Sequence, residues 1–249
     1  MSLASWHAVA LAAGGFVAGV VNTLAGGGSL LTVPLLVMVG LPGTIANGTN
    51  RIAVLVQGAV AAWRFRAEGV SGFRVAGPLV APLLLGSLIG AVVISRVAPE
   101  TFERLFGLVM LVLLVPVMRV SRMNRPIEER VGWSRATTLA VFFTIGLYGG
   151  AFQAGVGIFL VLALAHAGHG LVLSNSVKAI AVTAFTTVAV VVFILEGQVV
   201  WLPAMILSAS TALGAVIGTR IAVRGGDAVI RPLLGLAVLA MAAKMLGLY

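Results

Sequence analysis

The chain contains no cysteine. That excludes disulfides and thiolate metal sites, and it removes cysteine usage as a guide to redox compartment. Charge is also scarce. Asp, Glu, Lys and Arg make up 9% of the 249 residues, against about a quarter in a soluble domain. With 60% hydrophobic residues, there is too little polar surface to cover a water-soluble globule, so lipid must solvate much of the exterior. Acidic side chains are missing from the apolar runs altogether. Glu68, Glu100, Glu103, Glu128, Glu129, Glu196 and Asp227 all fall in or beside the gaps between runs. A carboxylate-based proton or cation relay therefore lacks its usual residue. No His/carboxylate metal set and no Ser with an activating base is recognisable, so no catalytic residue, metal or cofactor is expected.

What charge there is has one sign. The formal net charge is +9, but most Arg lie in short gaps between apolar runs, where they report membrane topology rather than affinity for nucleic acid. No nucleic-acid partner is expected; the lipid bilayer is. His166 and His169 stand at a loop end, where a surface or capping role suits them. The first apolar run, from Trp6, has no positive region before it and runs past signal-peptide length without a small-residue cleavage site. It reads as a retained helix.

Apolar runs lie near 5–25, 29–40, 46–66, 73–95 and 102–119, and again near 134–154, 157–168, 175–195, 200–223 and 228–248. Most reach the roughly 20 residues a spanning helix needs. Runs 29–40 and 157–168 do not; at about 1.5 Å per residue each covers under ~20 Å of a core about 30 Å thick. Both follow glycines, Gly26-Gly27-Gly28 in one case and Gly155 and Gly157 in the other. They read as short broken or re-entrant arms.

The two sets are copies. Shifted by 128 residues, 27–120 and 155–248 share 25 identities in 94 gap-free positions, among them Asn47/Asn175, Glu68/Glu196, Gly86/Gly214 and Gly90/Gly218. Composition alone would give roughly a tenth. Before Gly27 the register slips by three, pairing Gly15 with Gly146 and Gly19 with Gly150. The expected organisation is a first transmembrane repeat over 1–120, a basic linker over 121–132 and a second repeat over 133–249.

Arginine decides how the runs cross. If each short arm returns the chain, the gaps near 66–74, 119–135 and 220–231, with the adjoining Arg64, fall on one side and hold eleven Arg. If the arms do not count, the bias nearly vanishes. The positive-inside rule favours the first count. Five segments per repeat then force the two copies into opposite orientations. The expected fold is all-α: a polytopic transmembrane bundle of two inverted repeats, each with four full spans and one short broken helix. Both termini lie outside and linker 121–132 is cytoplasmic, in a cell (inner) membrane.

Two polar clusters break the apolar pattern: Asn47-Gly48-Thr49-Asn50-Arg51 at the start of the third segment, and Ser174-Asn175-Ser176-Val177-Lys178 at the start of the eighth. Each follows a short arm, so both are expected at depth, one from each side. A helix beginning offers unpaired N–H groups and a positive dipole end. Asn47, Thr49, Asn50, Asn175 and Ser176 add donors, while Arg51 and Lys178 add charge. Facing each other, such ends make an anion site at the repeat interface. Asn22 and Gln153 precede the two glycine breaks at matching places and read as cavity-lining donors, with Gly27 and Gly28 allowing close backbone approach. Gly26-Gly27-Gly28-Ser29 lacks the Lys-Ser/Thr of a phosphate loop, so nucleotide binding is not expected. The GxxxG pairs at Gly86/Gly90 and Gly214/Gly218 read as close helix packing.

The stretch from Gly19 to Pro34, GVVNTLAGGGSLLTVP, followed by Ala46-Asn47-Gly48-Thr49-Asn50, resembles the TauE/SafE family of sulfite exporters and related anion permeases. The resemblance covers nearly the whole chain, including the duplication. The second copy reads Gln153-Ala154-Gly155-Val156-Gly157, and no proline matches Pro34. The resemblance implies outward transport of sulfite or of a small organosulfonate such as sulfoacetate. The charge pattern by itself implies a small anionic substrate, carried by a secondary transporter or passed by an anion channel. The sequence leaves a monomer and a homodimer both open.

Overall fold

A computed structural model describes residues 5–119 and 133–224. The linker 121–132 and the tenth apolar run near 228–248 lie outside the described residues. Among these the chain is all-helical, with nine helices: α1 Ser5–Ala25, α2 Ser29–Met38, α3 Gly43–Ala67, α4 Phe73–Ser95, α5 Pro99–Arg119, α6 Arg135–Ala151, α7 Val156–His166, α8 Leu171–Leu195 and α9 Trp201–Arg224. Four of them, α1, α4, α8 and α9, are long and apolar enough to cross a membrane. The protein is a membrane protein, as its composition requires.

The helix bounds follow local chemistry. Pro42 and Gly170, both extended in ψ, stand immediately before α3 and α8. Pro99 opens α5, where its missing N–H costs nothing. α6 stops at Ala151, and Gln153 and Gly155 then take positive φ values of 61° and 66°. Gly26, at φ 79°, makes the corresponding break after α1.

Both short arms fold back. Gly28 lies against Ala18 and Asn22 while Gly14 lies against Leu35, so α2 runs antiparallel beside α1. Ser29 and Thr32 both bond to Asn50, which ties α2 to α3. With 10 residues, α2 rises about 15 Å, half a bilayer core. In the second half, Phe159 meets Tyr148 edge-on and Gly149 lies against Val156, turning α7 back along α6. The two breaks touch: a Cβ on Gly26 would strike the Gly157 backbone, and one on Gly157 would strike Gly26.

The halves interlock through pairs that recur when the halves are exchanged. α1 packs along α9, and α6 along α4. In the first pair, Gly15 meets Ser210, Gly19 meets Thr211 and Gly218 meets Thr23, so the helices run parallel. In the second, Gly146 meets Leu83, Gly150 meets Ser87 and Gly90 meets Leu147, again parallel. α3 and α8 cross between them antiparallel, with Gly48 against Phe193 and Gly58 against Thr183. α9 runs parallel to α3, since Thr49 meets Val200 and Thr211 meets Ala53. Arg64 and Arg66 at the end of α3 therefore share one end of the bundle with Arg220 and Arg224.

The glycine pairs are close-packing positions, because lipid supplies no hydrophobic drive between helices and backbone approach must. A Cβ on Gly90 would strike the Leu147 carbonyl, while one on Gly77 of the same helix meets open space. Gly90→Leu is expected to lower the unfolding free energy by about 1–3 kcal/mol through overpacking, and Gly77→Leu to leave it unchanged. Detergent-denaturant unfolding of the two variants side by side is the measurement.

Candidate functional site

The 47–51 and 174–178 clusters are not at helix beginnings. α3 starts at Gly43 and α8 at Leu171, so both clusters occupy the second turn, where backbone N–H groups already serve the helix. The expected site of helix N-termini is corrected accordingly: the clusters present side chains, and those side chains meet helix ends of the opposite sign.

Arg51 is fully buried and reaches into the second half. Its Nη2 donates to the carbonyls of Gly150 at 2.7 Å and Ala151 at 3.0 Å, and its Nη1 to the carbonyl of Gly149 and to Gln153 Oε1 at 2.6 Å. Asn47 Nδ2 adds a bond of 2.9 Å to the Ala151 carbonyl. These are the last carbonyls of α6, at the negative end of its dipole; Gly149 also accepts from Gln153 N at 3.1 Å. The Phe193 ring lies 5.2 Å from the guanidinium, a cation–π contact.

Lys178 does the reciprocal thing. From the second half, its Nζ donates to the Asn22 and Thr23 carbonyls, both at 2.9 Å, at the end of α1 in the first half. A third bond of 2.7 Å goes to Asn175 Oδ1. Each broken helix is thus capped by a cation from the other repeat.

The two caps differ in what surrounds them. A narrow cleft is lined by Lys178 together with Asn22, Thr23, Gln57, Gln153 and Asn175. A second narrow cleft is lined by Asn22, Gly28, Ser29, Thr32, Asn50 and Gln57. Arg51 lines neither.

Of the residues singled out in the sequence, the first cleft brings together Asn22, Gln153, Asn175 and Lys178. The second holds Asn22, Gly28 and Asn50, with Asn50 bonded to Thr32 at 2.6 Å and Ser29 at 3.3 Å. Gly27 is buried in the break between α1 and α2. Thr49 and Ser176 are brought to loops instead. Thr49 Oγ1 accepts from Val200 N at 3.0 Å before α9, and Ser176 Oγ accepts from Gly72 N at 3.1 Å before α4. Gln57 and Thr23 were missed. Gln57 is buried, accepts from Asn22 Nδ2, and donates from its Nε2 to Thr23 Oγ1 at 3.1 Å. Its signal was available: it stands two turns after Asn50, on the same helix face.

Gln153 deserves its place by backbone as well as side chain. A non-glycine residue at φ 61° costs about 1–3 kcal/mol and persists only where the surroundings impose it. Here Arg51 imposes it, drawing the Gln153 amide oxygen inward to a site beside the first cleft. Gln153→Gly is expected to keep the turn and relax this strain, while freeing one Arg51 donor. The net change in unfolding free energy is expected to stay within about 1 kcal/mol, checked by thermal unfolding in detergent.

The arrangement offers one ammonium and several neutral amides inside a membrane bundle, with no carboxylate among the cleft-lining residues. Among the described residues no group of metal-binding side chains occurs. Such a set is chemically suited to a negatively charged ligand.

Comparison with known proteins agrees with this class. The family model described as "Sulfite exporter TauE/SafE" matches residues 11–245. A "Probable membrane transporter protein" of Haemophilus influenzae is 27% identical, the match covering 93% of this chain and 91% of the relative. A "Probable membrane transporter protein ORF9" of Sinorhizobium sp is also 27% identical, over 93% and 89%. "Probable membrane transporter protein YfcA" of Escherichia coli is 24% identical, over 92% and 86%. No solved structure matches the chain. With a family match spanning nearly its full length, a helical bundle and a buried cationic cleft, the chain is a membrane transporter and belongs to the sulfite exporter TauE/SafE family.

Proposed function

We propose that this protein exports a small anion, sulfite or an organosulfonate such as sulfoacetate, by alternating access across the inner membrane. The observation that carries the reading is the cleft in which Lys178 meets the amides of Asn22, Gln153 and Asn175. Lys178 supplies the charge and the amides supply hydrogen bonds. Arg51, Asn47, Thr49 and Ser176 act as positioning residues, since their polar atoms bond to helix ends and loops. Lys178 spends its donors on Asn175 and on two carbonyls, so an incoming anion competes with those oxygens for the ammonium. That competition keeps affinity modest, as release requires.

The two halves act as inverted repeats in this reading. Its support is the antiparallel crossing of the sequence-equivalent helices α3 and α8, together with the exchange-symmetric pairs α1/α9 and α4/α6. The end of the bundle bearing Arg64, Arg66, Arg220 and Arg224 is cytoplasmic by the positive-inside rule, which places the N-terminus outside. Outward movement of an anion from a negative-inside cell releases about 2.3 kcal/mol per charge per 100 mV, enough to drive export without a coupling ion.

Purified protein in liposomes loaded with sulfite or sulfoacetate tests this. Saturable efflux, and counterflow of labelled substrate against an unlabelled pool, are expected. Flux that rises linearly with concentration and shows no counterflow would identify an anion channel instead. The absence of anion flux, with folded protein in the bilayer, would end the proposal.

A further inference from the structure

The two polar clefts lie one after the other along α3. Asn50, Val54 and Gln57 line the one, and Gln57, Gly58, Ala61 and Phe65 line the other. At about 1.5 Å per residue, the face from Asn50 to Phe65 climbs roughly 22 Å of the bundle. Two residues belong to both clefts, Gln57 and Asn22, and these two are hydrogen-bonded to each other, Asn22 Nδ2 to Gln57 Oε1. Further bonds hold the pair in place: Gln57 Nε2 to Thr23 Oγ1 at 3.1 Å, and Gly28 N to Asn22 Oδ1 at 3.3 Å. The pair therefore ties the end of α1, the start of α2 and the middle of α3 at one level.

We infer that the Asn22–Gln57 amide pair is the gate between two halves of a single polar passage, closing it here and parting to let the anion through. The inference rests on the transport reading above and adds to it where the passage is interrupted. The chemistry suits the task. When the pair parts, the Asn22 NH2 group is released toward a passing oxyanion, so its bond to Gln57 Oε1 is replaced by a bond to cargo, while Gln57 Nε2 is anchored on Thr23. A pair of apolar residues would close the passage equally well but would leave an anion without donors at the narrowest level, in surroundings where an unmet charge is costly.

The second half places a different residue where the first has Gln57. The repeat mate of Gln57 is Phe185, fully buried and packed against Gly149. On that side Arg51 holds the α6 end shut with four donated bonds to Gly149, Gly150, Ala151 and Gln153. The amide pair thus has no sequence-equivalent partner on α8, which itself lines the Lys178 cleft through Asn175, Lys178, Ala179 and Val182.

Because the chain lacks cysteine, single thiols can report the two clefts separately. Ala61→Cys marks the Lys178 cleft and Ser29→Cys the other, both substitutions being close in size. Membrane-impermeant methanethiosulfonates, one anionic and one cationic, are added to either face of sealed vesicles. With Gln57 in place, Ala61→Cys is expected to react from the face bearing the α3–α4 turn, and Ser29→Cys from the opposite face. In Gln57→Ala, Ser29→Cys labelling from the α3–α4 face is expected to rise about tenfold, the scale of one lost amide hydrogen bond. Labelling of both thiols from one face with Gln57 present would overturn the gate, and so would Ser29→Cys labelling that Gln57→Ala leaves unchanged. If Ser29→Cys does not fold, Thr32→Cys reports the same cleft. The labelling needs no cargo: sidedness with the cationic reagent tests the gate alone, whereas equal reactivity of anionic and cationic reagents would count against the anion reading and leave the gate standing.

Discussion

Lys178→Met is expected to give a folded protein whose anion flux in liposomes falls by about tenfold to a hundredfold. Methionine keeps the length and the apolar stem but removes the ammonium. A hydrogen bond to a charged group contributes about 1.5–3 kcal/mol, and each 1.36 kcal/mol is a factor of ten in rate. The fold survives because the Asn22 and Thr23 carbonyls border the cleft, where water can take the place of the ammonium. The loss of stability is therefore expected to stay near 1–2 kcal/mol. Lys178→Arg keeps the charge with a planar fork in place of a point charge, and retains part of the flux. Full flux in Lys178→Met would remove the cation from the transport cycle.

The same change at the other cap, Arg51, is expected to have a different outcome. Arg51→Met should prevent recovery of folded, monodisperse protein. Arg51 is 0% exposed and lines neither cleft. Removing it leaves the carbonyl of Gly150 at the buried end of α6 without its donor, Ala151 with Asn47 alone, and Gly149 with backbone N–H groups alone. An unsatisfied buried polar group costs about 1–3 kcal/mol and each lost bond to a charged group about 1.5–3 kcal/mol, so losing the four bonds of Arg51 removes an amount comparable with the whole stability of a domain. Arg51→Lys should be intermediate, because three donors on one nitrogen cannot reach the spread of oxygens that the fork spans. Size-exclusion profiles of the two methionine variants, expressed in parallel, separate a structural cation from a functional one. A well-folded Arg51→Met protein would contradict the division of roles.

Much of the architecture is legible in the residue order because it depends on local length and composition. The short arms are betrayed by their glycine breaks and by too few apolar residues to cross. The copies are betrayed by identities such as Gly86/Gly214, and those glycines do pack backbone against backbone. The helix starts are less legible. Gly43 and Thr44 look like loop in an apolar-pattern reading, yet α3 begins there because Pro42 sets the turn. That displacement of one turn moved the 47–51 cluster from a cap to the helix interior. The partners of Arg51 and Lys178 could not be read at all. The two clusters look alike in the chain, and what distinguishes them, a sealed helix end against an open cleft, is supplied by residues about 100 and 155 positions away. Gln57 is marked only by its spacing, two turns after Asn50 on the same helix face, and its partner Asn22 lies 35 residues away on α1.

The account turns on one claim, that an anion is held at Lys178. The most direct measurement is the thermal unfolding of wild type and Lys178→Met in detergent, with sulfite, sulfoacetate, taurine, sulfate and phosphate added in turn. The account predicts that sulfite or sulfoacetate raises the wild-type midpoint and leaves the variant's midpoint where it was. Equal stabilisation of both proteins, or stabilisation of wild type by none of these compounds, would contradict it.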